Sequence, residues 1–590
     1  MISYSCRAGP SQSYTKRPWQ RAIRIGGSPI RTYEIKYAGP LVGVAVALAV
    51  MLSVWGCAVS PEVGPKTAGP AKPLAPPPKP GPLPVSLTPT RTLGPSPELL
   101  ALGKRVYEKQ CVACHGADGR GEGEAAYLLY PKPRDFVAAK YVLVSTWDRV
   151  PTDEDLFRTV SRGMPGSAMP SWGHLSEEER WGLVHYVKSF AEKPWVVKAA
   201  TDPKSESETG TGVIRVPPEL PFTPEARARA LERYADACAS CHGKTGKGDG
   251  TEVQKDDKGY PTRPRDLSLG VYKGSPEPAQ IYRRIVAGMP GTPMPMSDWS
   301  YGEDAWHLVH LVRSWSSDEQ RARVEMRKFT IVARRTDRLP EHPDAGSWRL
   351  AEPMNLHLMP LWWRTDRPEE VTVRALHDGK EIALLLVWSD ATHDHTAMRP
   401  QDFRDAVAVQ FALAPDPPFF AMGARNQFVN VWMWKSERQA DLEPAFQDLD
   451  KIYPNIGIDS YPNLLVSPME QPTRHALTLR SAPTFVTGWG AGNIVSDPTR
   501  ASAVEDLTAQ GFGTLRARPR PDQAVQARGV YATDTYRVIL RRSLVGKGDR
   551  AVSLAPAGVV PVAFAVWNGS AGDRDGKKSV TIWQDLYIEP

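Results

Sequence analysis

The sequence predicts a multidomain chain in which two small, mostly helical domains precede an all-β sandwich. Three observations predict it. The five-residue pattern Cys-x-x-Cys-His occurs twice, at Cys111–His115 and Cys238–His242. The residues around the two copies repeat each other over 96–194 and 223–316, and each copy opens and closes on a helix-start signal. After Arg334 the texture changes to short β-branched and aromatic runs separated by Gly, Asp, Asn and Pro turns.

The chain begins with a basic leader. Residues 1–56 carry Arg7, Lys16, Arg17, Arg21, Arg24, Arg31 and Lys36 against one acid, Glu34, which accounts for nearly all of the formal +7 charge. About +1 remains from residue 57 onward, which gives nucleic-acid binding no support. An uncharged apolar run, Leu41 to Gly56, then ends at Cys57. Sixteen residues are short for a membrane span and suit an export signal. Val54-Trp55-Gly56-Cys57 resembles a bacterial lipobox, although Trp55 departs from the small residue usual there. The resemblance implies a leader over 1–57, lipid attachment at Cys57 and a membrane anchor on the periplasmic side, with an uncleaved N-terminal anchor or a soluble secreted form as the alternatives.

Residues 58–95 read as a proline-rich tether, with Pro76-Pro77-Pro78, Pro80, Pro82 and Pro84 and no apolar periodicity. At about 3.1 Å per residue it reaches at most on the order of 120 Å.

The two repeats give domains at 96–196 and 223–320, joined by a linker at 197–222. Ser96-Pro97-Glu98 and Thr223-Pro224-Glu225 each place a capping residue before proline at the first helical position. Each helix runs into its Cys-x-x-Cys-His motif. Two thiols one turn apart can add to the two vinyl groups of one porphyrin, and the adjoining imidazole reaches the iron, so the pattern predicts covalent haem c at Cys111, Cys114 and His115 and again at Cys238, Cys241 and His242. A redox dithiol would leave both histidines unexplained, and a four-cysteine zinc site would want its pairs roughly 15–20 residues apart. Of six cysteines only Cys6 and Cys57 lie outside the motifs, so none remains for an iron-sulfur cluster.

Glycine-rich loops follow at Gly116–Gly123 and Gly243–Gly250, then Tyr130-Pro131-Lys132-Pro133-Arg134-Asp135 and Tyr260-Pro261-Thr262-Arg263-Pro264-Arg265-Asp266. Arg134 and Arg265 are candidates for a haem propionate, or for a surface pair with Asp135 or Asp266. Next come Gly163-Met164-Pro165-Gly166-Ser167-Ala168-Met169-Pro170 and Gly288-Met289-Pro290-Gly291-Thr292-Pro293-Met294-Pro295, and closing helices that start with the boxes Ser176–Glu179 and Ser300–Glu303. His185, His307 and His310 fall on these helices, where packing is expected rather than ligation. This order resembles class I cytochrome c over both repeats. The resemblance implies Met169 and Met294 as sixth iron ligands, with Met164 and Met289 as rivals. A thioether favours Fe(II) and suits an electron carrier.

In the last third, strands are expected at Val371–Ala375, Ile382–Trp388, Ala406–Ala412, Phe428–Trp434, Arg537–Leu540, Val559–Trp567 and Ser579–Ile588, within a sandwich over 345–590. The phrases Leu384-Leu385-Leu386-Val387-Trp388-Ser389-Asp390, Phe403-Arg404-Asp405-Ala406-Val407-Ala408-Val409-Gln410-Phe411, Pro418-Phe419-Phe420-Ala421-Met422-Gly423 and Phe564-Ala565-Val566-Trp567-Asn568-Gly569-Ser570 resemble the haem-b domain of ethylbenzene dehydrogenase gamma subunits and their molybdoenzyme relatives. Those relatives include the gamma subunits of dimethylsulfide dehydrogenase and of chlorate, selenate and nitrite-oxidising enzymes. The resemblance implies one non-covalent haem b between Met422 and Lys578, with Lys577 as the alternative and His357, His393 and His395 as fallbacks. A lysine ligates only as the neutral amine, so its site must be desolvated.

Together these readings imply an electron-transfer subunit with no catalytic residues of its own. Its partners would be a molybdopterin catalytic subunit, an iron-sulfur subunit and a cytochrome c or other carrier. Two other readings compete: a dihaem peroxidase-like enzyme, which needs an open iron position, and a dihaem cytochrome whose sandwich binds a ligand without haem.

Overall fold

The computed structural model describes residues 87–201, 210–297, 303–419, 422–442, 455 and 502–590. Cys57, the leader, the tether up to residue 86 and Ser300 lie outside the described residues.

Each repeat is built from a capped opening helix, a one-turn helix carrying the haem motif, and two further helices. In the first, α1 (Pro97–Gln110) is capped by Ser96, whose hydroxyl accepts from Leu99 N, and α2 (Val112–His115) holds the motif. α3 (Asp153–Arg162) and α4 (Glu177–Lys188) start with capping boxes, Thr152/Asp155 and Ser176/Glu179. The second repeat matches with α5 (Pro224–Ala237), α6 (Ala239–His242), α7 (Pro278–Ala287) and α8 (Glu303–Arg313), and adds a short hairpin of β1 (Gln254–Lys255) and β2 (Pro261–Thr262). α9 (Asp318–Arg323) follows. Helices α1 and α4 cross at Gly103 and Gly182: a Cβ on Gly103 would lie 2.0 Å from the Gly182 carbonyl oxygen. One core serves both repeats, with Tyr107, Phe157 and Trp181 from the first and Tyr234, Tyr282 and Trp306 from the second.

The segments flanking these domains are docked. At the end of the expected tether, Thr90 and Arg91 donate to the Glu177 carboxylate at the start of α4, and the Trp181 indole donates to Arg91 O. In the expected linker, Ile214 is fully buried and its N–H donates to Ser145 O. Polar composition concealed both attachments, which depend on single residues.

Among the described residues the C-terminal third holds fourteen strands in one hydrogen-bonded sheet. They are β3 (Thr330–Arg335), β4 (Met354–His357), β5 (Met359–Pro360), β6 (Glu370–His377), β7 (Glu381–Ser389), β8 (Ala406–Ala412), β9 (Val429–Lys435), β10 (Val504–Ala509), β11 (Arg516–Ala517), β12 (Gln526–Tyr531), β13 (Thr535–Ser543), β14 (Val559–Trp567), β15 (Ser579–Val580) and β16 (Gln584–Ile588). The main order is β11-β10-β9-β8-β14-β16-β3-β6-β7-β13-β12. The pairs β16–β3 and β3–β6 are parallel, and the other neighbours are antiparallel.

The sheet folds over to make the expected sandwich. Trp388 on β7 and Trp434 on β9 are far apart in strand order, yet their ring centroids are 6.3 Å apart. Tyr536 on β13 stacks on Trp388 at 4.8 Å. Val373, Leu386 and Val538 from one half pack in the same core as Val409, Trp432 and Phe564 from the other. The sandwich begins before the expected residue 345, because Thr330–Arg335 already pairs with β16 and β6. Arg334 and Arg335 hid this strand by ending its alternation on two exposed charges. The expected strand at Ser579–Ile588 is broken into β15 and β16, with Ser579–Val580 leaving to pair with Met359–Pro360.

Candidate haem sites

Three cavities hold the residues singled out from sequence. The first, of about 200 Å³, is lined by Cys111, Cys114, His115, Met164 and Met169. His115 Nδ1 lies 3.0 Å from Arg134 O. A carbonyl only accepts, so Nδ1 carries the proton and Nε2 keeps the lone pair that an iron ligand needs. Burial pushes the imidazole down to about 4, with the Arg134 charge adding to the effect against its carbonyl hydrogen bond, which keeps the ring neutral. Phe136 stacks on the ring at 4.4 Å.

The second cavity, of about 330 Å³, is lined by Cys238, Cys241, His242, Met289 and Met294. Burial, aided by the Lys273 charge, pushes His242 down to about 4, and its Nδ1 is buried with no hydrogen-bond partner. The supports match across the repeats. Tyr107 and Tyr234 each donate to the carbonyl of the glycine after the motif, Gly116 and Gly243, at 2.8 Å. The methionine loops share one turn: Met164 N donates to Met169 O at 3.0 Å and Met289 N to Met294 O at 3.1 Å. A hydroxyl, of Ser167 or Thr292, bonds the first methionine's carbonyl in each. Both methionines of each pair line their cavity, so the rival assignments stay open on lining alone.

The third cavity, of about 460 Å³, opens between β8, β9 and β14 and the turn after β14. Met422 and Lys578 both line it, and Lys578 Nζ lies 3.7 Å from Met422 Sδ. Lys578 is 8% exposed, and its amine sits 4.9 Å from the centre of the Trp567 ring. Burial pushes the amine down to about 8, against the pull of the Asp575 carboxylate. Lys577 points elsewhere: it is exposed, with its amine over Trp362. The fallback histidines are outside this cavity. His393 and His395 stack on each other at 4.3 Å, and His357 is half-buried on β4, where desolvation and the charges of Arg367 and Arg162 push it down to about 4.

These donor sets suit the groups expected of them. Two thiols and a neutral histidine with a free Nε2 fit a covalent haem, and a desolvated amine facing a thioether between apolar walls fits a non-covalent one.

The cavities are arranged in series. Leu129 lines the first while its neighbours Tyr127 and Leu128 line the third. Between them, Tyr130 N donates to Leu361 O at 3.0 Å and Leu361 N to Lys578 O at 2.9 Å. Ala113, Cys114 and Leu129 share a hydrophobic cluster with Leu361 and Val580. The first and second cavities share Thr262, Arg265, Lys273 and Thr292.

The expected surface pairs of the two arginines are not formed. Asp135 accepts from Val137 N and Ala138 N, and Asp266 accepts from Ser268. Two of the closing-helix histidines bond backbone carbonyls: His185 Nε2 is 2.7 Å from Leu93 O and His310 Nε2 is 2.9 Å from Leu220 O, while His307 is buried with its Nδ1 unpartnered among the described residues. Sequence reasoning missed Lys273, which lines two cavities. Burial, then the charges of Arg265 and Arg134, push it down to about 7. Aligning the repeats on Arg134 and Arg265 would have found it, because Val142 stands at the same place in the first.

Comparison with known proteins agrees with this division. Residues 363–579 match the ethylbenzene dehydrogenase family, residues 98–187 the family of cbb3-type cytochrome c oxidase subunit III, and residues 228–316 the cytochrome c family. A Haloferax mediterranei protein named as a candidate respiratory nitrate reductase haem subunit is 24% identical over 38% of this chain and 57% of its own length. Chlorate reductase subunit gamma of Ideonella dechloratans is 22% identical over 41% of this chain and 77% of its own. Dimethylsulfide dehydrogenase subunit gamma of Rhodovulum sulfidophilum is 25% identical over 41% and 64%. The chain thus spans between about half and three quarters of these curated relatives. Domain by domain, it is two cytochrome c domains, the kind that carries covalent haem c, followed by a gamma-subunit domain of the ethylbenzene dehydrogenase family.

Proposed function

We propose that this chain is the multihaem electron-transfer subunit of an oxidoreductase complex. It exchanges electrons between molybdopterin and iron-sulfur subunits on one side and a cytochrome c or other respiratory carrier on the other. The observation that carries the reading is the buried Lys578 amine 3.7 Å from the Met422 thioether, in a cavity joined by backbone hydrogen bonds to the first Cys-x-x-Cys-His site.

Two haems c are held by Cys111, Cys114, His115 and Met169 and by Cys238, Cys241, His242 and Met294, and one haem b by Met422 and Lys578. When bound, haem iron supplies one-electron chemistry by alternating between ferrous and ferric states. The chain's own groups do the rest. The cysteines fix each porphyrin, the Arg134 carbonyl orients His115, and apolar walls keep water away. Burial lowers the Lys578 amine to about 8, which makes the proton easier to give up when the amine acts as a neutral donor. With His115 and Met169, His242 and Met294, and Met422 and Lys578 all available as donors, each haem would be held by two protein ligands, which favours carriage over peroxidase-type catalysis. Lipid attachment at Cys57 would hold the subunit on the periplasmic face of a membrane. No helix among the described residues is long and apolar enough to cross one.

A pyridine haemochrome assay on the purified full chain tests the cofactors, with an expected ratio of two haems c to one extractable haem b. Absence of extractable haem b would overturn the third site. Mild-detergent purification from native membranes should bring down a molybdenum-containing subunit, and recovery of the chain alone would overturn the partner assignment.

A further inference from the structure

Arg134 and Arg265 hold equivalent places in the two repeats, and each reaches into the other. Arg265, buried, packs its guanidinium on Gly166 in the first repeat's methionine loop: Nε donates to Pro165 O at 3.4 Å, and a Cβ on Gly166 would lie 2.7 Å from that Nε. Arg134 packs in return on Gly291 in the second repeat's methionine loop, where a Cβ would lie 3.1 Å from its Nη1. Both glycines are left-handed, with φ of +72° and +73°, so a side chain is excluded there by conformation as well as by space.

Lys273 stands beside them. It lines the first and second cavities, as Arg265 does. Among the described residues neither Arg265 nor Lys273 makes an ion pair, and Lys273 makes no hydrogen bond. The nearby acids are otherwise placed: Asp256 accepts from Lys258 N and Tyr260 N, Asp257 is exposed, and Glu369 pairs with Arg367 at 2.7 Å. Unpaired cations crowded into a desolvated space are destabilising unless anions join them. A haem brings two carboxylates to its cavity.

We propose that Arg265 and Lys273 form one clamp for the propionates of both haems c, with Arg134 crossing in the opposite direction. The inference rests on reading both motifs as haem c sites. A cation close to both irons favours the less positive, ferrous state of each. Removing one shared charge should therefore lower both c-type midpoint potentials together, whereas a cation serving a single site would move one.

The test is spectroelectrochemical titration of the full haem-loaded chain carrying Lys273→Met or Arg265→Gln, with Lys273→Arg and Arg265→Lys as charge-keeping partners. Each midpoint is assigned to its repeat by the shift that Met169→His or Met294→His causes. Both c-type midpoints should fall in the charge-removing variants, recover in the charge-keeping ones, and leave the haem b midpoint in place. A fall confined to one haem c, or no fall, overturns the clamp. If Lys273→Met fails to mature, Arg265→Gln decides between the same outcomes. Loss of covalent haem from the wild-type chain in a pyridine haemochrome assay would instead defeat the reading of the sites themselves.

Discussion

Replacing Lys578 by leucine, which cannot ligate iron, separates what the lysine would do for a haem b from what it costs the fold. Its amine is lowered from 10.5 to about 8, chiefly by burial. The fall is a factor of several hundred in proton affinity, or about 3 kcal/mol. The sign follows from the folded value lying below the unfolded one. Below pH 8 the folded domain must hold a buried positive charge, so the full cost is present. It shrinks as pH rises through 8 and is gone above 10.5, where the unfolded chain has lost the same proton. Stripped of non-covalent haem, Lys578→Leu should therefore be more stable than wild type by about 3 kcal/mol at pH 7, with roughly three quarters of the gain gone by pH 10. Urea titration followed by tryptophan fluorescence reads this. A pyridine haemochrome assay on the same protein should show the covalent haem retained and the extractable haem absent. Wild-type haem b content in Lys578→Leu, whose side chain cannot ligate iron, would refute the ligand assignment, and equal stability at pH 7 would refute the buried charge. Lys577→Met, whose amine is over Trp362, should change neither.

Three further outcomes are expected. Gly103→Val drives a branched side chain into the Gly182 carbonyl and should destabilise the first cytochrome domain by at least the upper end of the about 1–3 kcal/mol usual for overpacking, so an unshifted thermal midpoint would contradict the helix crossing. Arg162 is 3% exposed, pairs with Glu325 and donates to the carbonyls of Tyr272 and Gly274, so Arg162→Met should cost about 3–5 kcal/mol in chemical denaturation, part of it recovered by adding Glu325→Gln. Met169→Ala and Met294→Ala should each open one c-type site to carbon monoxide in the ferrous protein while Met164→Ala and Met289→Ala do not; the reverse pattern would exchange the ligand assignments.

The parts of the molecule written locally were legible. Ser96, Thr223 and Ser176 cap the helices they announce, because an N-cap needs only a side-chain oxygen three residues ahead of an N–H. Ala406–Ala412 and Val559–Trp567 are strands with the expected bounds, being apolar runs between polar turns. What escaped was written across distance. Arg162 reads as the last residue of an ordinary helix, and nothing near it announces Glu325. Arg265 reads either as a partner for a haem propionate or as half of a surface pair with Asp266, and only folding brings it to Pro165 and beneath Trp363. Met422 and Lys578 lie 156 residues apart, and only the resemblance joined them before the sheet did.

Strand β16 has a consequence for the order in which the cofactors can be loaded. It lies inside the sheet, hydrogen-bonded to β14 on one side and to β3 on the other. Phe329 N donates to Gln584 Oε1 at 2.7 Å although the two are 255 residues apart. A chain crossing a membrane from its N-terminus presents both Cys-x-x-Cys-His motifs long before this contact can close, so covalent attachment can run on a chain whose sheet does not yet exist. The walls of the third cavity come from β8, β9 and β14, which β16 locks to the other half of the sandwich. On the proposed assignment a haem b would then be the last of the three to enter, and a truncation just past Val580 would keep both Met422 and Lys578 in the sequence and still lose it.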